Sequence, residues 1–184
     1  MRIDLEQTRF DAKAEYDLDG SFLSGIRFRA AVNDYTHTEL EGEETGTVFD
    51  VQGVDGRIEL RHVPIGALEG AIGLQYKRID FDAIGDEAFV PASNTERVSV
   101  FLFEEYGLTY NLVLQGSARY EDQSISGPGL GQNYSDGAFG ASLGTVWRLT
   151  ESLRLSANLA LTERHPNSTE LYADGPHIAA QRYA

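Results

Sequence analysis

The chain has 184 residues, a formal net charge of −14, no cysteine and 41% hydrophobic residues. So acidic a chain is a poor partner for nucleic acid, because phosphate binding depends on lysine and arginine. No apolar stretch of the sequence approaches the ~18 to 20 residues of a membrane-spanning helix. Any membrane span must therefore consist of strands.

From Phe10 onwards, apolar and polar residues alternate one by one, and this alternation indicates strands with one apolar and one wet face. The three-four spacing of an amphipathic helix fails over the same windows. We expect eight strands of about 9 to 15 residues, the length that a tilted crossing of a bilayer requires. Only Arg97 to Tyr106 is ambiguous, because aromatic residues occupy its polar side. The predicted strands begin near Phe10, Ile26, Val54, Leu68, Arg97, Leu108, Phe139 and Leu153.

The predicted connections alternate between short and long. The short ones are expected at residues 17–24, 63–67, 106–107 and 148–152, and the long ones at 34–47, 82–95 and 121–136, with another opening at His165. Outer-membrane barrels have short periplasmic turns at one rim and long extracellular loops at the other. The sequence therefore predicts an all-β, antiparallel, up-and-down transmembrane β-barrel segment. Aromatic residues near strand ends agree with an interfacial girdle: Tyr16, Tyr35, Tyr76, Tyr106, Tyr110, Tyr120, Tyr134 and Trp147.

Motifs of catalysis are missing from the sequence. It has no Gly-x-Ser-x-Gly, no His-Glu-x-x-His and no cysteine nucleophile. The glycine-rich residues 127–131 lie in a predicted loop and do not precede a helix. We therefore expect no enzyme activity, no catalytic residue and no cofactor.

Three groups of residues are candidates for metal ligands, because imidazole and carboxylate groups bind divalent cations. A charge run on a flexible loop has no enforced geometry, so solvated acidic loops and ordinary turn residues are the simpler interpretation. Metal binding is left open. The first loop offers His37, Glu39, Glu41, Glu43 and Glu44; the second offers Asp80, Asp82, Asp86 and Glu87; the remaining candidates are His165 and His177.

The end of the chain carries a recognisable motif. Its residues are Arg164, His165 and Pro166, then Thr169 to Tyr172, then Asp174 to His177 with Ala179. This segment resembles the barrel of TonB-dependent outer-membrane receptors. The resemblance implies a 22-stranded barrel closed around a plug domain in the bacterial outer membrane. It further implies import of a scarce nutrient (ferric siderophore, haem, cobalamin or a zinc complex) with energy delivered through TonB.

Residues 1–184 are then expected to be one partial barrel domain, without plug, signal peptide or C-terminal closing strand. Met1 to Glu6 show no basic and apolar signal segment. The expected partners are outer-membrane lipid, the receptor's own plug, TonB, and a small nutrient at the extracellular loops. Inward-facing charges are expected to form cross-strand pairs and to bind the plug, with a substrate path along the lumen as the alternative. They are Arg27, Arg29, Asp55, Arg57, Glu59, Arg61, Arg119, Glu121 and Arg154.

Two other classes of protein remain open. A self-contained eight-stranded outer-membrane barrel with a structural or adhesion role would pair its first strand with its eighth. A soluble β-sandwich would have strands of about five or six residues. A partial barrel would instead leave two unpaired edge strands, near Phe10 and Leu159.

Overall fold

The computed structural model describes residues 2–42, 44–85, 88–174, 176–177 and 182–183. Eight antiparallel strands form one sheet in which the spatial order follows the chain order. The predicted all-β, up-and-down fold is thereby confirmed. The single sheet and its long strands do not fit a β-sandwich. The strands are β1 Arg2–Asp17, β2 Leu23–Glu41, β3 Glu44–His62, β4 Leu68–Gly85, β5 Ser93–Thr109, β6 Leu112–Ser126, β7 Tyr134–Arg148 and β8 Arg154–Thr162.

Three short elements follow the sheet. Helix α1 covers Ser168–Tyr172, and two strands of two residues each, β9 Pro176–His177 and β10 Arg182–Tyr183, pair with each other. No helix in the described part of the chain has the length and apolar character needed to cross a membrane.

The sheet is open at both ends. β1 pairs with β2 at one edge and β8 pairs with β7 at the other, and in the described residues no pairing joins β1 to β8. The predicted unpaired edges near Phe10 and Leu159 are therefore present. An edge strand with free backbone groups recruits another strand, so these edges are the natural places for further pairing.

The strand register separates the side chains into an apolar face and a polar face. On the apolar face, Phe10 is 68% exposed and Leu159 is 77% exposed. Among the described residues the buried hydrophobic side chains are only Val90, Ile125 and Ala138, so the sheet has no conventional core. An apolar surface of this size needs lipid or protein against it. One row of directly paired residues across it reads Ala14, Phe28, Ile58, Leu74, Val100, Tyr120 and Phe139.

The predicted long loops are wrong in extent. β2 continues to Glu41 and β3 begins at Glu44, so most of the predicted loop 34–47 belongs to two paired strands, and Gly42 after β2 has φ of +70°. The other two predicted loops are also too long, because β4 continues to Gly85 before β5 begins at Ser93, and β6 continues to Ser126 before β7 begins at Tyr134. Alternation of apolar and polar residues fades where both faces of a strand are in water, although the hydrogen-bonded ladder continues. The strands therefore extend beyond the segments that hydropathy marks.

Three of the four predicted short turns are confirmed, and one is displaced. The chain was expected to turn at Tyr106 and Gly107, but β5 continues to Thr109 and the turn is formed by Tyr110 and Asn111. Gly107 lies inside the ladder, where its N–H donates to the carbonyl oxygen of Ala67 at 3.0 Å. A glycine inside a strand was thus mistaken for a turn residue.

Candidate functional site

The charged and polar side chains of the strands lie on one side of the sheet, the polar face. Two cavities of about 660 and 650 Å³ open on it, and the side chains around them belong mostly to this face. A solute or a polypeptide on the aqueous side of the sheet therefore meets charged and polar groups. This face is the candidate functional site.

One ionic network joins β1, β2 and β3. Arg27 bridges Glu15 at 3.0 Å and Glu59 at 3.2 Å, so its guanidinium links three neighbouring strands. Glu59 is only 8% exposed and also accepts from Nε of Arg57 at 2.7 Å. Arg61 adds a contact of 2.6 Å to Asp17. The predicted cross-strand pairs are confirmed for Arg27 and Arg61, whereas Arg57 pairs within its own strand.

A second network spans β3 to β6. Arg119 donates through Nη2 to Glu121 and to Ser99, each at 2.7 Å, and to Gln75 at 3.2 Å. Gln75 in turn donates to Asp55 at 2.9 Å. Charged hydrogen bonds of this kind hold neighbouring strands in register. The predicted involvement of Asp55, Arg119 and Glu121 is confirmed.

The ambiguous segment of the sequence is explained by a cation–π contact. Phe101 lies on the polar face, and the guanidinium carbon of Arg57 stands 4.0 Å from the centre of its ring. Gly73 lies directly opposite Phe101 in the neighbouring strand and leaves room for the ring. An arginine can stack on an aromatic face in this way, so an apolar residue on the polar side of β5 has a partner.

Two of the predicted inward-facing arginines do not form pairs. In the described part of the chain, Arg29 and Arg154 have no ion-pair or hydrogen-bond partner in their side chains. Arg29 lies between Lys13 and Arg57 across the strands, so its neighbours in the register are cations. The sequence could not show this, because the register that places like charges side by side is visible only in the structure.

His37 belongs to an aromatic cluster on the polar face, near the end of β2 and the beginning of β3. Its ring stacks on Phe49 with 4.6 Å between centroids, and Tyr35 hydroxyl lies 3.2 Å from its Nδ1. Nε2 of His37 is 3.5 Å from a carboxylate oxygen of Glu39 without forming a hydrogen bond. Of the other candidates in this group, Glu43 and the side chain of Glu41 lie outside the described residues.

In the second candidate metal group, Asp80 is engaged by protein donors. Asp80 accepts from Nε of Arg78 at 2.9 Å and from the amide of Asn94 at 2.6 Å. Asp86 and Glu87 lie outside the described residues. No cluster of three or more metal-binding side chains occurs in the part of the chain that the structure describes.

His165 is a buried structural residue. It is 5% exposed, and its Nε2 lies 3.2 Å from the backbone oxygen of Glu121. A carbonyl can only accept, so Nε2 carries the proton and Nδ1 accepts from the hydroxyl of Tyr134 at 3.3 Å. Both ring nitrogens are therefore engaged. His177 has its backbone in β9, and its side chain lies outside the described residues.

Residues 163–174, the docked segment, were expected to open a long loop and instead fold back on the sheet. Gln123 donates to the backbone oxygen of Pro166 at 2.8 Å, and the Tyr172 hydroxyl donates to that of Gln132 at 2.9 Å. The N–H of Asp174 reaches the oxygen of Phe89 at 3.0 Å. The docked segment thereby covers the far ends of β6 and β7.

A capping box begins the helix inside the docked segment. Asn167 accepts from the N–H of Glu170 at 2.8 Å, and Glu170 accepts from the N–H of Asn167 at 2.9 Å. Arg164 donates two hydrogen bonds of 2.8 Å to the same carboxylate. These contacts, chiefly those from Arg164, lower the pKa of Glu170 to about 2. The residues of the motif seen in the sequence thus stabilise the fold of the docked segment itself.

A sheet with an exposed apolar face, an ionic face on the other side and long antiparallel strands is typical of the wall of a membrane β-barrel. Comparison with known families identifies which barrel. The family described as TonB dependent receptor-like, beta-barrel matches residues 2–183, and the chain belongs to this family. The resemblance found in the sequence is confirmed. The family is one of receptors of the bacterial outer membrane and not of enzymes.

Solved structures show the same fold. The structure of the "Copper transporter OprC" matches with a TM-score of 0.72 and 13% identity over 90% of this chain. The open form of the "Ferric-Catecholate import receptor Fiu from E. coli K12" matches with a TM-score of 0.65 and 14% identity over 89% of this chain. This chain covers 32% and 36% of those two chains, so it spans about a third of their length.

Proposed function

We propose that this chain is one arc of the barrel wall of an outer-membrane receptor that imports a scarce nutrient with energy delivered through TonB. The family match over residues 2–183 carries this proposal. In such a wall the apolar face contacts lipid, and the polar face contacts a plug domain and the solute path. The extracellular ends of the strands take part in capturing the nutrient.

The open edges of the sheet support an arc of a larger barrel. A self-contained eight-stranded barrel would join β1 to β8, whereas the described residues place these strands at opposite ends of the sheet. Because the chain has no cysteine, engineered cysteine pairs test this directly. The matched control is Ser142→Cys with Ala160→Cys, which are register partners in β7 and β8.

The control pair should cross-link in the membrane-inserted protein. Pairs that combine Ala12→Cys in β1 with cysteines placed at successive positions of β8 should not. Efficient cross-linking of any β1–β8 pair would support the small structural barrel and contradict the arc.

Metal complexes are the cargo class that we propose: a ferric siderophore, haem, cobalamin or a zinc complex. Copper and ferric catecholate appear in the names of the two similar structures and belong to those proteins. Uptake of radiolabelled members of this panel should fall in a deletion strain, and a protonophore should abolish the difference between parent and deletion strain. Equal uptake in both strains for the whole panel would contradict import by this receptor.

A further inference from the structure

Three cations lie side by side on the polar face. The register places Lys13 directly opposite Arg29, and Arg29 directly opposite Arg57. Like charges directly opposite each other on neighbouring strands destabilise a sheet. This cation row therefore calls for negative charge close to it.

The protein supplies that charge at the two ends of the row but not in its middle. Arg57 is satisfied by Glu59 at 2.7 Å. The ammonium of Lys13 is 3.9 Å from Glu15, whose carboxylate is already held by Arg27 at 3.0 Å. Arg29, in the middle, has no carboxylate within 4.0 Å in the described part of the chain. A positive centre is thus left without a counter-charge.

The cation row borders the cavity of about 660 Å³, which has an excess of positive charge. Its charged lining is four basic residues, Arg9, Lys13, Arg29 and Lys77, against two acidic ones, Asp11 and Asp55. Both carboxylates are engaged, Asp11 by Arg9 at 2.7 Å and Asp55 by Gln75 at 2.9 Å. The whole chain has a net charge of −14, so an excess of two positive charges around this cavity is opposite in sign to the charge of the chain.

We propose that this cavity is a binding site for a small anion that carries two or more carboxylate or phosphate groups. The volume lies within the roughly 300–1,000 Å³ of small-molecule sites. Lys13 and Arg29 alternate with Ala12, Ala14, Phe28 and Ala30 of the apolar face, so the site lies at the depth of the lipid-contacting belt. The site requires only the cavity on the polar face, and it goes beyond the proposed import of a metal complex.

Citrate is a suitable probe, because it carries three carboxylates and fits the cavity. Isothermal titration of the purified protein in detergent should show saturable binding of citrate that weakens at high salt. Arg29→Gln should weaken this binding at least tenfold and leave the stability of the protein unchanged or raised, since it removes like-charge repulsion. The matched control is Arg154→Gln, an unpaired arginine of the same face outside the cavity, which should bind citrate like the parent.

Each other outcome overturns the proposal. If the parent protein binds no citrate saturably, the cavity is not an accessible anion site, for example because a polypeptide fills it. If Arg29→Gln and Arg154→Gln weaken binding equally, the attraction is a general effect of net charge. If Arg29→Gln destabilises the protein, Arg29 has a structural partner and not a ligand. An uptake assay is not involved, so failure of this site and failure of the import proposal are distinguishable.

Discussion

Gly73 is a position inside the sheet at which an added methyl group should disturb both a side-chain contact and a neighbouring strand. A Cβ placed on Gly73 would overlap the ring of Phe101 and would lie 2.7 Å from the carbonyl oxygen of Ile58. The ring can rotate away, but the carbonyl belongs to the backbone of β3. Gly73→Ala therefore has to displace either the cation–π pair of Arg57 and Phe101 or a strand.

The size of the effect follows from two opposing contributions. Overpacking in a tightly filled site costs about 1–3 kcal/mol. Replacing glycine by alanine also restricts the unfolded chain, and this stabilises by about 0.4–1 kcal/mol where the site is open. We expect Gly73→Ala to lower the unfolding free energy by about 1–2 kcal/mol. Gly56→Ala is the matched control, because nothing lies within 4 Å of a Cβ there and its φ is not positive, and it should be neutral or slightly stabilising.

Denaturant unfolding in detergent micelles measures both variants. Trp147 is the only tryptophan of the chain and lies on β7, so its fluorescence reports on the sheet without labelling. Adding Gly73→Ala to a Phe101→Leu background should cost less than adding it to the parent, because the ring overlap is gone. Equal unfolding free energies of Gly73→Ala and Gly56→Ala would refute the close approach.

Three further predictions concern the polar networks and the docked segment. Arg119→Gln should lower the unfolding free energy by about 1–3 kcal/mol, because the largely buried carboxylate of Glu121 loses its cation, whereas Arg154→Gln should change it by less than about 0.5 kcal/mol; urea unfolding compares them. The pKa of Glu170 is lowered from 4.5 to about 2. The ionised carboxylate therefore stabilises the docked segment fully above pH 4.5, and this stabilisation is lost as the pH falls towards 2. The protection factors of amides in the docked segment, which are corrected for the intrinsic exchange rate at each pH, should fall over that window, and Glu170→Gln should abolish this fall. Protection factors that stay constant down to pH 2 would contradict stabilisation by the Glu170 carboxylate. His165→Ala should release the docked segment to limited proteolysis while the eight strands stay resistant, and an unchanged cleavage pattern would show that His165 does not hold it.

The number, order and facing of the strands could be predicted because the chain obeys one physical rule. A strand between lipid and a polar interior must alternate, and Leu114 to Tyr120 of β6 does so without interruption. Alternation is required only over the part of a strand that contacts lipid. Residues 34–41 of β2 were assigned to a loop because neither face there is uniformly apolar, although their hydrogen-bonded pairing with β3 continues to the turn.

The polar site could be predicted only as a set of charges. Parity along each strand places Arg27, Arg29 and Arg57 on one face, but not beside one another. Which of them finds a carboxylate depends on the register between strands, and the register is a long-range property that one strand's sequence does not contain. The unpaired state of Arg29 is accordingly visible in the structure alone.

The long strands change how the extracellular end of this wall would work. The apolar side chains of β6 from Leu112 to Tyr120 cover about 26 Å along the strand at about 3.3 Å per residue, close to the height of a barrel's lipid belt after tilting. The 19 residues of β3 cover about 60 Å by the same measure, so more than half of that strand lies beyond the belt. His37 and Phe49 are therefore held on paired strands and not on a free loop. A ligand that contacts them meets side chains whose backbone is already ordered, so binding requires less conformational entropy than a mobile loop would lose.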